Sequence, residues 1–367
     1  MRIPLIKPFL PVAVKDRVLA VLESGFLTEG RLTAEFEEVC REFLGAPHCV
    51  AVTSCTVGLE AVLRYYGIGP GDEVIVPDYT YPATADVVAI VGAKIVIVDV
   101  DPETMLIDYE SLERALSPRT RAVIPVSLFG NPLDYERLSE IAGSYGIVVI
   151  EDAACAFGAE FRGQKVGTLA DFSVFSLHPR KFITTGEGGL IATVLDEGAD
   201  WLVSYKHFGL ATETGERQQA VFKMIGSNYK LSDILAAVGL AQMEYVTELL
   251  ARRRELATGY IELLAGEKRV SLPRTTMGGK HSYQSFCVLV ENRDQILSKL
   301  RSLGIEVQIG TYCLHQQPAF SSENAYCEIR GRLEGSSYAG AHCLTLPLFH
   351  GMSLAQQQEV VEKLVSC

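Results

Sequence analysis

The segment FSVFSLHPRKFITTGEGGLIAT, residues 172–193, places Lys181 five residues after Ser176 and just before a turn rich in Thr and Gly. The run 172–177 is apolar without alternation, as in a strand buried on both faces. A lysine held beside such strands loses hydration, which lowers its pKa and favours the neutral amine that a Schiff base requires. The plain alternative is a solvated lysine in a surface hairpin. Asp152 follows the apolar run 147–151, in EDAACAFGAEF. A carboxylate at a strand end can ligate a metal, act as a base, or pair with a cationic ring nitrogen. The last is what pyridoxal phosphate needs, because a protonated pyridine ring draws electrons. An Asp that caps the next turn is the competing reading.

Two further segments have the same character. TSCTVGLEAV, residues 53–62, reads as a strand end passing into a helix at Ser54–Thr56. Amides and hydroxyls exposed at a helix N-terminus hold anions, and phosphate is the obvious guest; a routine Ser/Thr cap is the alternative. PDYTYPATAD, residues 77–86, offers Tyr79 and Tyr81 where an aromatic could stack on a flat ring, or equally sit in the core under a loop. Each signal alone is weak. Together they supply a Schiff-base lysine, a carboxylate for a pyridine nitrogen, a phosphate cup and a stacking aromatic. All but the lysine directly follow an expected strand.

The elements that must position them are legible in outline. Apolar, β-branched runs occur at 49–53, 73–77, 95–100, 122–127, 147–151, 172–177 and 189–194. Helix-like segments at 56–66, 83–92, 109–116 and 133–145 separate most of them. Such alternation gives an α/β fold with a mostly parallel seven-stranded sheet covered by helices, which binds ligands at the carboxyl ends of its strands. Residues 231–266 read as one long helix leading out of this sheet. Beyond about 267 the pattern changes to a strand at 283–290, a helix at 292–303, a strand at 305–309 and a final helix at 353–365. The expected division is a large domain over 1–250 and a smaller α+β domain over 251–367.

Composition narrows the function classes. The chain has 367 residues, 48% hydrophobic and 21% charged, as in an ordinary globular protein. Its formal net charge is −12, a poor field for a nucleic-acid backbone, so no nucleic-acid partner is expected. Nine cysteines include no C-x-x-C pair, which disfavours a zinc ribbon or a disulfide framework; no metal is expected, and free thiols in a cytoplasmic protein are the plain reading. No run approaches the ~20 apolar residues of a membrane span, so no membrane partner is expected. GIGPGD at 67–72 lacks the G-x-G-x-x-G spacing of a dinucleotide site.

With these motifs in place, the chain resembles the DegT/DnrJ/StrS family of pyridoxal-phosphate sugar aminotransferases. The resemblance runs from IPLIKPFL and SGFLTEG through VAVTSCT, GIGPGDEVIVPDYTYPAT, IEDAACAFGAE, SLHPRKFITTGEGGLI and GSNYKLSDILAAVGLAQ to LPLFHGMSLAQQQ. The S-x-H-x-x-K…T-T-G-E-G-G block is its most specific part. The resemblance implies the aspartate-aminotransferase fold (fold type I), the cofactor pyridoxal 5′-phosphate with pyridoxamine phosphate alternating, and a homodimer with shared active sites. By motif position it makes Lys181 the Schiff-base lysine and Asp152 the pyridinium partner. Cys55, Thr56 and Ser176 match the phosphate cup, Tyr81 the stacking aromatic, and Asn228 the residue that reaches the phosphate of the neighbouring subunit. Cys155 stands near the ring hydroxyl, where the family often has Gln or His, and Cys55 replaces a usual Gly. Lys230 replaces a frequent Arg, and Ser227 a frequent aromatic. Sugar 3-dehydratase relatives carry His at the lysine position, so Lys181 favours transamination.

The implied reaction moves an amino group from L-glutamate to a 3- or 4-keto hexose linked to a nucleoside diphosphate. Lys230 and Arg31 are candidates for the diphosphate. Tyr312 and His315, in TYCLHQQPAF, resemble a family segment near the sugar pocket. Amination of a keto-inositol, aminohydroxybenzoate-type synthesis and a catalytically silent binding protein are the competing readings.

Overall fold

The computed structural model describes residues 2–211, 220–321 and 323–367. All seven expected runs form strands of one sheet, ordered His48–Val52, Gly189–Thr193, Phe172–Ser176, Val148–Asp152, Thr120–Val123, Glu73–Pro77, Lys94–Val98 and, at the edge, Cys327–Ile329. Gly189–Thr193 runs antiparallel to both its neighbours, and all other pairings are parallel. The sheet therefore has eight strands rather than seven. The additional one is three residues long, with Cys327 buried and Glu328 and Ile329 half-buried. It is too short for a hydrophobic pattern to register, and its position is set by pairing with Lys94–Val98.

This edge is fastened electrostatically. Arg330 bonds both carboxylate oxygens of Glu73 at 2.8 Å, and Arg119 and the Ser117 hydroxyl reach the same carboxylate at 2.8 Å and 2.6 Å. Glu73 is 2% exposed, so losing its charge or a partner is costly. Although burial opposes ionisation, the bonds from Arg330, Ser117 and Arg119 outweigh it and hold the carboxyl at about 2, down from 4.5. A folded-state pKa below the unfolded one stabilises the protein above pH 4.5, and that contribution disappears as pH falls toward 2. The shift corresponds to about 3 kcal/mol. Acid titration of Glu73→Gln, followed by circular dichroism, is expected to show less loss of stability across that window than the wild type; matching acid limbs would refute the assignment.

The expected helix over 231–266 is two helices, Asp233–Met243 and Val246–Leu263, bent by 62° at the break. The bend lets them serve two cores. Val246, Leu249 and Leu250 pack into the core of the large sheet, whereas Leu256, Ala257 and Tyr260 pack with Phe286, Val288 and Leu344 in a second core. Residue 250 thus lies inside a helix that spans both. The second core is built on an antiparallel sheet ordered Val270–Ser271, Phe286–Val290, Cys343–Leu346 and Gln308–Ile309. The strand expected at 283–290 begins only at Phe286. Tyr283 adopts φ +52°, a left-handed backbone that cannot continue a ladder, and the residues around it serve another purpose. Of the strand expected at 305–309, only Gln308–Ile309 pairs within this sheet. No single helix among the described residues is long and apolar enough to cross a membrane.

Candidate active site

Three strand ends and one helix start converge beside the loop that carries Lys181. The helix Cys55–Tyr65 begins directly after the strand His48–Val52, with Ser54 as its cap accepting from Val57 N at 3.3 Å. Gly189 lies against this turn: a Cβ there would stand 2.6 Å from Cys55 N and 2.5 Å from Ser54 C, so only glycine permits the approach. The amides of Cys55 and Thr56 meet no acceptor among the described residues. Two free donors at the positive end of an eleven-residue helix suit a phosphate. Ser176 ends the neighbouring strand, with its hydroxyl accepting from His178 N at 3.4 Å.

Asp152 ends the strand Val148–Asp152 and is buried. Its Oδ2 accepts from the Thr84 hydroxyl at 2.7 Å, its Oδ1 from Ala154 N at 3.1 Å, and the Cys55 thiol lies 4.0 Å from Oδ1. Burial raises its pKa above the ordinary aspartate value against the pull of these bonds and of Lys181. No cation bonds this carboxylate among the described residues. A buried carboxylate so placed suits a protonated ring nitrogen, and with the free amides it fits pyridoxal phosphate.

Lys181 points its Nζ at the Cys155 thiol, 3.0 Å away. Burial is the strongest influence on its pKa and acts downward, as the sequence led one to expect. The surrounding Cys155, Cys55 and Asp152 together outweigh it, and the net shift is upward. The expectation of a depressed pKa is therefore corrected: the lysine is buried among groups that favour its ammonium form.

The remaining candidates are more dispersed. Tyr81 is 65% exposed, and among the described residues its ring pairs with that of Tyr312, with centroids 6.3 Å apart. Tyr79 is a core residue instead, with its hydroxyl accepting from Thr311 N at 3.2 Å. Tyr312 reaches this region because Tyr312–Cys313 pairs antiparallel with Tyr79–Thr80. His315 is held by Asp78, whose carboxylate takes its backbone N–H at 2.8 Å and meets ring Nδ1 at 2.6 Å. Asn228 accepts from the Lys230 ammonium, which also lies 4.7 Å from the Phe208 ring; neither residue bonds Lys181 or Asp152. Sequence reasoning passed over Thr84 and Asp78, although both lie in the quoted segment 77–86, directly after a strand. It also missed Gln284 and Arg253, for which no local signal exists.

The family profile of the DegT/DnrJ/EryC1/StrS aminotransferases matches residues 12–365. The chain belongs to this family. Two named relatives are GDP-perosamine synthase of Caulobacter vibrioides, 36% identical over 99% of this chain and 97% of the relative, and the UDP-4-amino-4-deoxy-L-arabinose–oxoglutarate aminotransferase of Shewanella sediminis, 33% identical over 98% and 96%. Among solved structures, the aminotransferase TlmJ of Streptoalloteichus hindustanus superposes with a TM-score of 0.92 at 29% identity, covering 99% of this chain and 98% of that one. The pyridoxal-phosphate form of Spr1654 of Streptococcus pneumoniae gives 0.91 at 29% identity, covering 100% and 98%. The fold is that of the pyridoxal-phosphate-dependent aminotransferases, and the protein is a sugar aminotransferase that uses this cofactor.

Proposed function

We propose that this DegT/DnrJ/EryC1/StrS aminotransferase moves an amino group from L-glutamate to a 3- or 4-keto hexose linked to a nucleoside diphosphate, as a homodimer. One observation carries the assignment of roles: the buried Asp152 carboxylate lies 4.0 Å from the thiol of Cys55, at the helix start whose amides are free, and both groups act electrostatically on Lys181. When bound, pyridoxal phosphate supplies an electron-poor ring that stabilises negative charge on the donor's α-carbon. Cys55, Thr56 and Ser176 would hold the phosphate, Asp152 would keep the ring nitrogen protonated, and Lys181 would anchor the cofactor. Lys181 Nζ would also serve as the proton carrier, taking the α-proton of glutamate and delivering a proton to the acceptor carbon of the keto sugar. The Cys155 thiol orients Lys181 Nζ. In this reading Tyr81 stacks on the ring, and Asn228 reaches the phosphate held by the neighbouring subunit. Its bond to Lys230, rather than to the groups around Lys181 of its own chain, is compatible with that placement.

Two lines support the substrates. Both curated relatives carry a nucleotide-linked sugar in their names, and one of those names includes oxoglutarate, the keto acid that glutamate leaves behind. In this reading Lys230 serves as a cation for the diphosphate, and Tyr312, whose ring meets that of Tyr81, lines the sugar side with His315. The test is to supply the holoenzyme with glutamate and GDP- or UDP-linked keto sugars and to measure 2-oxoglutarate and the amino sugar by mass. Acceptor-dependent 2-oxoglutarate is expected; glutamate conversion only with a keto-inositol would refute the sugar-nucleotide reading. Tyr312→Phe is expected to raise the acceptor KM several-fold while the glutamate KM stays within about twofold, a loss of about 1 kcal/mol for one hydrogen bond. Unchanged acceptor kinetics would remove Tyr312 from the pocket.

A further inference from the structure

Lys181 sits in a loop, between the strands Phe172–Ser176 and Gly189–Thr193, that has no regular structure of its own. A turn bond from Lys181 N to His178 O at 2.8 Å holds one side of its backbone, and a group outside the loop holds the rest. A single buried amide does so on both sides of the lysine: Gln284 Oε1 accepts from Phe182 N at 3.1 Å, and Gln284 Nε2 donates to Arg180 O at 2.8 Å. These are the carbonyl before Lys181 and the N–H after it, so one rigid plane restrains both dihedrals of the lysine.

Gln284 is itself held. Arg253, buried in the helix Val246–Leu263, donates Nε to Tyr283 O at 2.8 Å and Nη2 to Gln284 O at 2.5 Å, and its guanidinium lies 5.6 Å from the centre of the Phe182 ring. The strained φ of +52° at Tyr283 lets these two consecutive carbonyls face one guanidinium. Next door, the Ser282 hydroxyl donates to Cys155 O at 3.3 Å. The stretch Ser282–Gln284 thus grips the backbones of both members of the Lys181–Cys155 pair.

We propose that Gln284, braced by Arg253, is the positioning residue for Lys181: its side-chain amide sets where Nζ stands relative to Cys155 and Asp152. It touches neither substrate nor cofactor and acts only through the lysine backbone. The role rests on Lys181 being the cofactor lysine, but the geometry exists in the protein alone and can be measured there.

The test uses Gln284→Leu, which removes both bonds at nearly constant size. In the cofactor-free protein, acylation of Lys181 by acetic anhydride is followed against pH by peptide mass. In the holoenzyme, kcat and both KM values are measured. The expected result is a changed acylation rate at Lys181, by threefold or more, with the other lysines unaltered. The expected kinetic result is a fall in kcat of about 10–100-fold, as for a catalytic group displaced by up to an ångström, with KM values within about threefold. An unchanged Lys181 acylation profile together with unchanged kcat would overturn the proposal. If Gln284→Leu does not fold, Gln284→Glu decides by the same readouts, since it keeps the acceptor for Phe182 N but turns a second oxygen toward Arg180 O. A wild-type protein that binds no pyridoxal phosphate would refute the proposed function while leaving the acylation comparison intact.

Discussion

Lys181→Ala is expected to lower turnover by on the order of 10⁴-fold, the upper range for loss of a positioned acid–base group. In the proposed mechanism two roles fall on the same nitrogen: attaching the cofactor, and carrying the proton between the donor's α-carbon and the acceptor. Its hydrogen-bond partner, the Cys155 thiol 3.0 Å away, is held through its own backbone by Ser282. The variant should still bind pyridoxal phosphate, because the Cys55 and Thr56 amides and Asp152 are untouched, but without the yellow absorption of the lysine-bound form. Lys181→Arg should be equally inactive, since a guanidinium keeps its proton at any working pH. Single-turnover mixing with glutamate, followed by absorbance and 2-oxoglutarate release, measures both effects. Turnover of Lys181→Ala within about tenfold of wild type would mean that another group moves the proton.

Asp152→Asn should separate activity from stability. The substitution keeps the shape and leaves partners for Thr84 and Ala154, but removes the charge that, in the proposed mechanism, keeps the ring nitrogen protonated. A fall in kcat of about 10²–10³-fold is expected, the size found when one preorganised electrostatic partner is deleted. Melting of the cofactor-free protein should move the other way. Burial raises the folded-state pKa of Asp152 above its unfolded value, so the ionised carboxylate costs stability at neutral pH and the fold tightens as pH falls through that raised value. Asn is neutral throughout, and the Tm at neutral pH should stay level or rise. In the holoenzyme a protonated ring nitrogen beside this carboxylate would favour its ionised form, so the gain in stability toward acid pH belongs to the cofactor-free protein. A variant with near-normal kcat, or one whose cofactor-free form melts well below wild type, would contradict this account.

The site was legible where chemistry follows a strand end, because parallel strands buried on both faces leave long apolar runs that a sequence displays directly. Asp152 and the turn at Ser54–Thr56 were singled out in that way, whereas the phosphate role of Ser176 came from the family resemblance. Thr84 and Asp78 lay in the same windows but were overshadowed by the tyrosines beside them, and Tyr81 proved to be largely exposed on the chain taken alone. The direction of the Lys181 shift could not be read from burial alone. It depends on which groups face the amine, and Cys155, Cys55 and Asp152 come from two different strand ends.

By itself the sequence determined the seven buried strands, the helices between them and the family, all of which depend on local pattern or short motifs. Tertiary structure decided the eighth strand, the 62° break between the two helices that serve two cores, and the grip of Ser282–Gln284 and Arg253 on the lysine loop. Each of these joins segments far apart in the chain through a few hydrogen bonds or a shared core. Such contacts impose no periodicity on either segment, so only the folded arrangement reveals them.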